Sequence, residues 1–293
     1  MYVKPSAPHS IGGVLDDAIK LYREAFAKSW PIAFCGRLLI AVPGVILGLR
    51  FRSLSVAGNP QAVLAEFKSP VVWLSYLVLI LVALGFYNAL LVQVDGWANS
   101  RPGPARQSVA TGFRLVPRTI LLAVIMFAVL FAGGLVVGIL VAFLAKSASS
   151  PVVTSLITSV ILIPFVLIAI YAWGRVFLSN VALVVEDAKA TDALKISWSL
   201  IKNHWWRTAT IYTVAIVIVA VFYVVIGILN AILVAMLGAF SFATLVLSQL
   251  VTIAGGTVFM SFVPAVLLSM YYDLKLRKEG TDLAGRVNAL APG

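Results

Sequence analysis

Six side chains in this sequence could hold a ligand: Arg37, Asn88, Asp95, Arg175, Asn180 and Asp187. Each lies in or beside a long apolar run. Arg37 is the most unusual, because a mid-span arginine costs about 2.5–3.5 kcal/mol on insertion scales unless it snorkels or pairs. It follows Trp30 by seven residues, roughly 10 Å along a helix, so its head can reach back to the nearer interface. The guanidinium either snorkels, joins a structural ion pair, or forms a pocket for a phosphate or carboxylate. Asp95 and Asp187 are candidate partners, and Arg175 is a candidate for a similar pocket. Asn88, Asn180, Gln93 and Gln249 are amides near or within the apolar runs. Such groups bond neighbouring helices more often than substrate.

No catalytic constellation accompanies these groups. Cys35 is the single cysteine, and His9 and His204 are the only histidines. That excludes an intrachain disulfide and argues against a Cys/His zinc site. There is no P-loop, Gly-x-Ser-x-Gly, His-Glu-x-x-His or dinucleotide fingerprint. Ser199 and Lys202 match Ser-x-x-Lys, but without companion motifs they read as chance. The apolar runs lack the paired aspartates, Ser/His pair or zinc motif that intramembrane proteolysis needs. The expectation is a non-enzymatic chain with no catalytic residue, metal or cofactor.

The elements that position these residues follow from composition. Of 293 residues, 61% are hydrophobic and 11% charged, where soluble domains carry about 25% charged. Mean hydropathy is +1.04. The chain must spend its apolar surface in a bilayer. The net charge of +11 then marks basic flanks meeting anionic headgroups rather than nucleic acid. The opening MYVKPSAPHSIGG has no apolar core for a cleaved signal peptide, so the first span is expected to direct insertion.

A spanning helix needs about 20 mostly apolar residues. Uncharged windows lie between Lys68 and Asp95, Arg118 and Lys146, and Lys146 and Arg175. The run from Thr208 to Tyr272 would be roughly 100 Å long as one helix, so it must fold back, with the turn at Leu237–Ser241. A weaker span around Trp30–Leu49 holds Arg37 and Pro43. The expected fold is an all-α polytopic membrane protein of six transmembrane helices. Seventeen Lys and Arg fall on the side of both termini and four on the other. The positive-inside rule then puts both termini in the cytoplasm and leaves one outer loop around Arg50–Ser69.

Apolar stripes at helical spacing mark amphipathic helices at 10–28 and 188–206 and a shorter segment at 105–118. They precede hairpins at 30–94, 208–272 and 119–178, and a cytoplasmic tail follows at 273–293. DDAIKLYREAFAKSW (16–30) aligns with TDALKISWSLIKNHW (191–205), and NALLVQVD (88–95) with NVALVVED (180–187). The reading is a threefold repeat of amphipathic helix plus helical hairpin within one membrane domain. The short helix precedes each hairpin, and the carrier motif Pro-x-Asp/Glu-x-x-Lys/Arg is missing, so mitochondrial carriers are not the template. Gly44-x-x-x-Gly48 and Gly134-x-x-x-Gly138 permit close helix contact.

Three patterns in order, SIGGVLDDAIKLYREAF (10–26), DALKISWSLIKNHWWRT (192–208) and SMYYDLKLRKEG (269–280), resemble a bacterial family of six-helix membrane proteins. The family is named after the membrane domain fused to some glycerophosphoryl diester phosphodiesterases and is similar to the uncharacterised YciC-type inner-membrane proteins. The resemblance implies a bacterial inner membrane and a helical bundle, but no established reaction. The His-Arg-Gly segment and acid cluster of the phosphodiesterase are missing. Two functions are expected in order: a scaffold or accessory subunit in envelope or lipid homeostasis, or a transporter or lipid translocator with an anion site near Arg37. Expected partners are membrane lipids, with anionic headgroups at the cytoplasmic face, and a membrane protein.

Overall fold

In hydrocarbon every backbone N–H and C=O must bond within its own segment, so uncharged runs of Leu, Ile, Val and Ala become helices. The computed structural model describes residues 2–56, 68–146, 150–238 and 241–290. Among these the helices are α1 (Ile11–Val56), α2 (Pro70–Ala98), α3 (Ala105–Lys146), α4 (Pro151–Val176), α5 (Ser179–Val185), α6 (Ala190–Ile201), α7 (Trp205–Leu237) and α8 (Phe242–Leu290). No strand occurs among the described residues. Six helical stretches are long and apolar enough to cross a membrane, the fourth joining α4 to α5. This is a multi-pass, all-helical architecture.

Local chemistry sets the ends. Pro151 opens α4, and the Ser150 hydroxyl accepts from Val153 N at 3.3 Å, which satisfies one of the orphan N–H groups of the first turn. The expected fold-back falls where one helix ends at Leu237 and the next begins at Phe242. α7 stops at Leu237, Gly238 takes φ +81°, and Thr244 Oγ1 donates to Gly238 O at 2.7 Å. The positive φ is open to glycine at no steric cost.

Several boundaries differ from the sequence reading. Segments 10–28 and 105–118 are not separate helices, since α1 and α3 run straight from amphipathic start into apolar span. A half-buried stripe and an all-round apolar run share the same 3.6-residue period, so nothing in that pattern signals a stop. Pro117 lies inside α3; a proline removes one backbone bond, which a spanning helix tolerates. Only the third segment stands alone, as α6, closed off by a turn at 202–204. The stretch 273–293 begins as a continuation of α8 rather than a tail. The surroundings of Pro43, Gly44, Gly48, Arg50, Arg52 and Arg286, residues 57–67 of the loop expected on the outer side, and Ala239–Phe240 lie outside the described residues.

The chain divides into two compact units, Met1–Val116 with Thr210–Gly293, and Pro117–Ala209. In the first, α1, α2 and α8 pack on one another. The buried face of α1 is the stripe Val14, Ala18, Leu21, Ala25 and Ile32. Small residues bring backbones close. A Cβ on Gly112 would lie 2.4 Å from Ala89 N and 2.5 Å from Gly85 O. Buried polar groups pair across helices, as Ser29 does with Ser261 at 3.2 Å. In the second unit α6 packs on α4 and α5, with Val181, Ala182, Leu183, Ala193 and Ile201 buried.

Candidate functional site

The first unit gathers polar chemistry where its N-terminal segment crosses α1, α2 and α8. Tyr2 N donates to the Glu24 carboxylate. His9 N donates to Asp273 Oδ1 at 2.9 Å, and His9 Nδ1 lies 2.6 Å from Asp17 Oδ2. Arg277 closes the loop through Nε to Asp273 Oδ2 at 3.0 Å and Nη2 to His9 O at 2.6 Å. Asp273 is buried, so these bonds are what make its burial tolerable. Burial pushes the Tyr2 phenol up, with Asp17 adding to the effect. Burial also pulls the Lys4 ammonium down, which Asp95 opposes. The sequence reading missed Asp273. The available signal was an acid four residues before Arg277, at the point where the last uncharged run ends.

Asp95 sits at the edge of this network. Its carboxylate accepts from Tyr272 Oη and from Asn99 Nδ2 at 3.1 Å. Lys4 Nζ bonds Asn99 Oδ1 at 2.7 Å and lies 4.0 Å from the Tyr272 ring centroid. Beside Asp95 opens a cavity of about 530 Å³ between the end of α2 and the first turns of α3. Asp95, Asn99, Arg101, Gln107, Ser108 and Thr111 supply its polar wall. The loop is shaped for it. Ser100 has φ 56°, Arg101 N bonds Gly96 O at 2.7 Å, and a Cβ on Gly96 would lie 3.0 Å from Arg101 O. Ser108 Oγ donates to Gln93 Oε1 at 2.5 Å, and Gln93 Nε2 reaches Gly103 O at 3.4 Å.

Arg37 does not join Asp95. Its Nη2 donates to Tyr223 Oη at 3.1 Å, and its Nε is buried without an acceptor among the described residues. A Cβ on Gly256 would lie 2.6 Å from that Nε, so the guanidinium lies against bare backbone. The neighbouring pocket, about 390 Å³, is walled by Leu84, Tyr87, Phe259 and Met260 besides Arg37 and Tyr223. Arg37 is its only charged wall residue. Asn88 is buried, with Nδ2 3.5 Å from Gly112 O.

The second unit uses its polar residues locally. Arg175 is 4% exposed, donates to Tyr171 Oη at 2.5 Å and Trp198 O at 3.0 Å, and stands 4.2 Å from the Trp198 ring centroid. Aromatic faces and a carbonyl, rather than a carboxylate, hold its charge. Asp187 pairs with Arg118 at 2.5 Å on an exposed surface, a contact worth at most about 1 kcal/mol. Asn180 Oδ1 accepts from Thr119 Oγ1 at 3.2 Å. A groove of about 390 Å³ runs between Met126, Val129, Trp173 and Leu194, with Lys195 and Trp198 in its wall.

Arg37, Asn88 and Asp95 belong to the first unit, where Arg37 and Asp95 have separate partners; Arg175, Asn180 and Asp187 belong to the second, where Arg175 has its own cage. Among the described residues no group of three His, Cys, Asp or Glu side chains is placed to hold a metal. The model of one family, a domain of unknown function (DUF7847), matches residues 103–274, which is more than half of the chain. The chain belongs to the DUF7847 family. The DUF7847 match takes in Arg175, Asn180 and Asp187, and from the cavity wall Gly103, Gln107, Ser108 and Thr111; Arg37, Asn88 and Asp95 precede it. No curated protein and no solved structure matches the chain.

Proposed function

We propose that this DUF7847 protein is a non-enzymatic subunit of the bacterial inner membrane that serves as a scaffold or accessory protein in envelope or lipid homeostasis. One observation carries the reading. The third, fourth and fifth spans have almost no protein cover on their most apolar stretches, with 6%, none and 6% buried. Phe127, Phe143, Val160 and Ile168 are among the side chains left outward. Such faces suit lipid and the helices of a partner alike. The basic asymmetry of the loops supports cytoplasmic termini. The YciC-type resemblance and the threefold repeat of amphipathic helix plus hairpin accord with this reading. In that repeat the first two amphipathic segments fuse to their spans and the third stays separate.

The transporter reading would use the pocket beside Arg37. Apart from Arg37 its wall is aromatic and aliphatic, with the hydroxyls of Tyr87 and Tyr223 as its other polar groups, so it offers an ion little polar path. Two measurements test the choice. A photoreactive amino acid at Phe143 or Ile168 in living cells should give one discrete protein adduct; lipid adducts alone would overturn the scaffold role. In vesicles Arg37→Leu should insert normally and change no anion flux. A flux present in wild type and lost in Arg37→Leu would establish the transporter instead.

A further inference from the structure

The cavity at the α2–α3 junction has an unusual charge pattern. Its wall holds one carboxylate, Asp95, and one guanidinium, Arg101, among neutral hydrogen-bonding groups. A simple anion would meet Asp95, and a simple cation would meet Arg101. A zwitterion with an ammonium at one end and a phosphate at the other answers both. Arg101, Gln107 and Thr111 make no side-chain hydrogen bond or ion pair within the described protein, so their capacity is unspent. Lys4 bonds Asn99 rather than Asp95, and the Tyr272 and Asn99 bonds to Asp95 both fall on Oδ1, which leaves Oδ2 to take a second cation.

Depth favours a lipid headgroup. α2 has 29 residues, about 43 Å at 1.5 Å per residue, against roughly 30 Å of hydrocarbon. Asp95 lies in its last turn, hence in the headgroup layer. We propose that this cavity binds the ammonium–phosphate headgroup of an ethanolamine phospholipid, with Asp95 taking the ammonium and Arg101, aided by Gln107 and Thr111, taking the phosphate. The inference rests on the membrane placement proposed above, and not on the scaffold role.

The test is native mass spectrometry of the full chain, delipidated in detergent and titrated with phosphatidylethanolamine, phosphatidylcholine or phosphatidylglycerol. Phosphatidylethanolamine should bind one to one, about tenfold tighter than either other lipid, because choline's quaternary ammonium donates no hydrogen bond and glycerol's hydroxyls are neutral donors, whereas the ethanolamine ammonium gives Asp95 a charge-assisted one. Arg101→Gln should weaken it roughly tenfold, and Asp95→Asn should erase the preference over phosphatidylglycerol. Asp95 also ties Tyr272 and Asn99, so if Asp95→Asn unfolds, Arg101→Gln and Thr111→Val carry the test. Soluble glycerophosphoethanolamine serves as competitor. Displacement identifies the free headgroup as a sufficient ligand, and failure to displace identifies the lipid as the ligand. Equal retention of the three lipids, or binding unmoved by Arg101→Gln, overturns the proposal. A partner missing from the photo-adducts while lipid selectivity persists would sink the scaffold role and leave this site standing.

Discussion

In the last span half of the most apolar stretch is buried by protein, at a mean hydropathy of 2.0; in the fourth none of it is, at 2.6. The pattern extends to the others. The first and second spans bury 28% and 44% at 1.3 and 2.3, whereas the third and fifth bury 6% each at 3.0 and 2.9. In water the most apolar element is the one hidden. Here it is the one left outside, because lipid tails are as apolar as leucine and give no reason to bury it. Where the first, second and last spans pack on one another, small and polar residues mark the contact, as Ser29 on Ser261 and Gly36 under Phe86 do. Helices meet where side chains are short enough for backbones to approach, or where a polar group needs a partner.

The largest effect expected from this comparison is at Gly112. Any side chain there runs into the backbone of α2 at Ala89 and Gly85, which cannot rotate away as a side chain would. Gly112→Val should destabilise by about 3 kcal/mol or more. SDS-induced unfolding followed by tryptophan fluorescence would read this as loss of the folded baseline. A folded Gly112→Val with unchanged midpoint would mean that α2 and α3 do not touch here.

A second contrast sets buried against lipid-facing leucine. Leu90 is fully buried in the cluster with Ile32, Ala33 and Phe86, while Leu162 on α4 is 44% exposed. Leu90→Ala should cost about 2 kcal/mol, the low end of the range for such truncations. The unfolded chain remains in lipid, so the water-transfer part of the usual penalty is missing and only packing is lost. Leu162→Ala should change stability by less than about 0.5 kcal/mol. Equal losses at the two sites would show that α4 is covered by a partner in the sample.

The spans and their turns were legible because charge-free length and a glycine stop are local features, as at Leu237–Ser241. The continuity of α1 and α3 was not legible, since amphipathic and apolar helix share one period. Partner choice was even less so. Arg37 finds Tyr223, 186 residues away, and a tyrosine inside an apolar run carries no sign of being an acceptor. Asp95 was singled out as a candidate partner for Arg37, and it lies instead in the wall of a polar cavity, bonded by Tyr272 and Asn99. Arg101 had entered the reading only as one more basic residue on the cytoplasmic side. The fold of the 99–104 loop, with Ser100 in the left-handed region, is what brings it there.

The smallest expected effect lies on the same helix as the largest. Gly138 and Gly112 both belong to α3, yet a Cβ on Gly138 meets nothing within 4 Å. Gly138→Ala therefore has no clash to pay for and removes backbone freedom from the unfolded chain. It should leave stability unchanged or raise it by up to about 1 kcal/mol. The same SDS titration reads it, now as a midpoint that stays or climbs. A midpoint that falls would place another helix against Gly134-x-x-x-Gly138, because only close contact makes one methyl group harmful. Since α3 carries both glycines, the pair separates a helix's packed end from its lipid-facing end within one continuous backbone, and both substitutions replace a glycine in a helix interior.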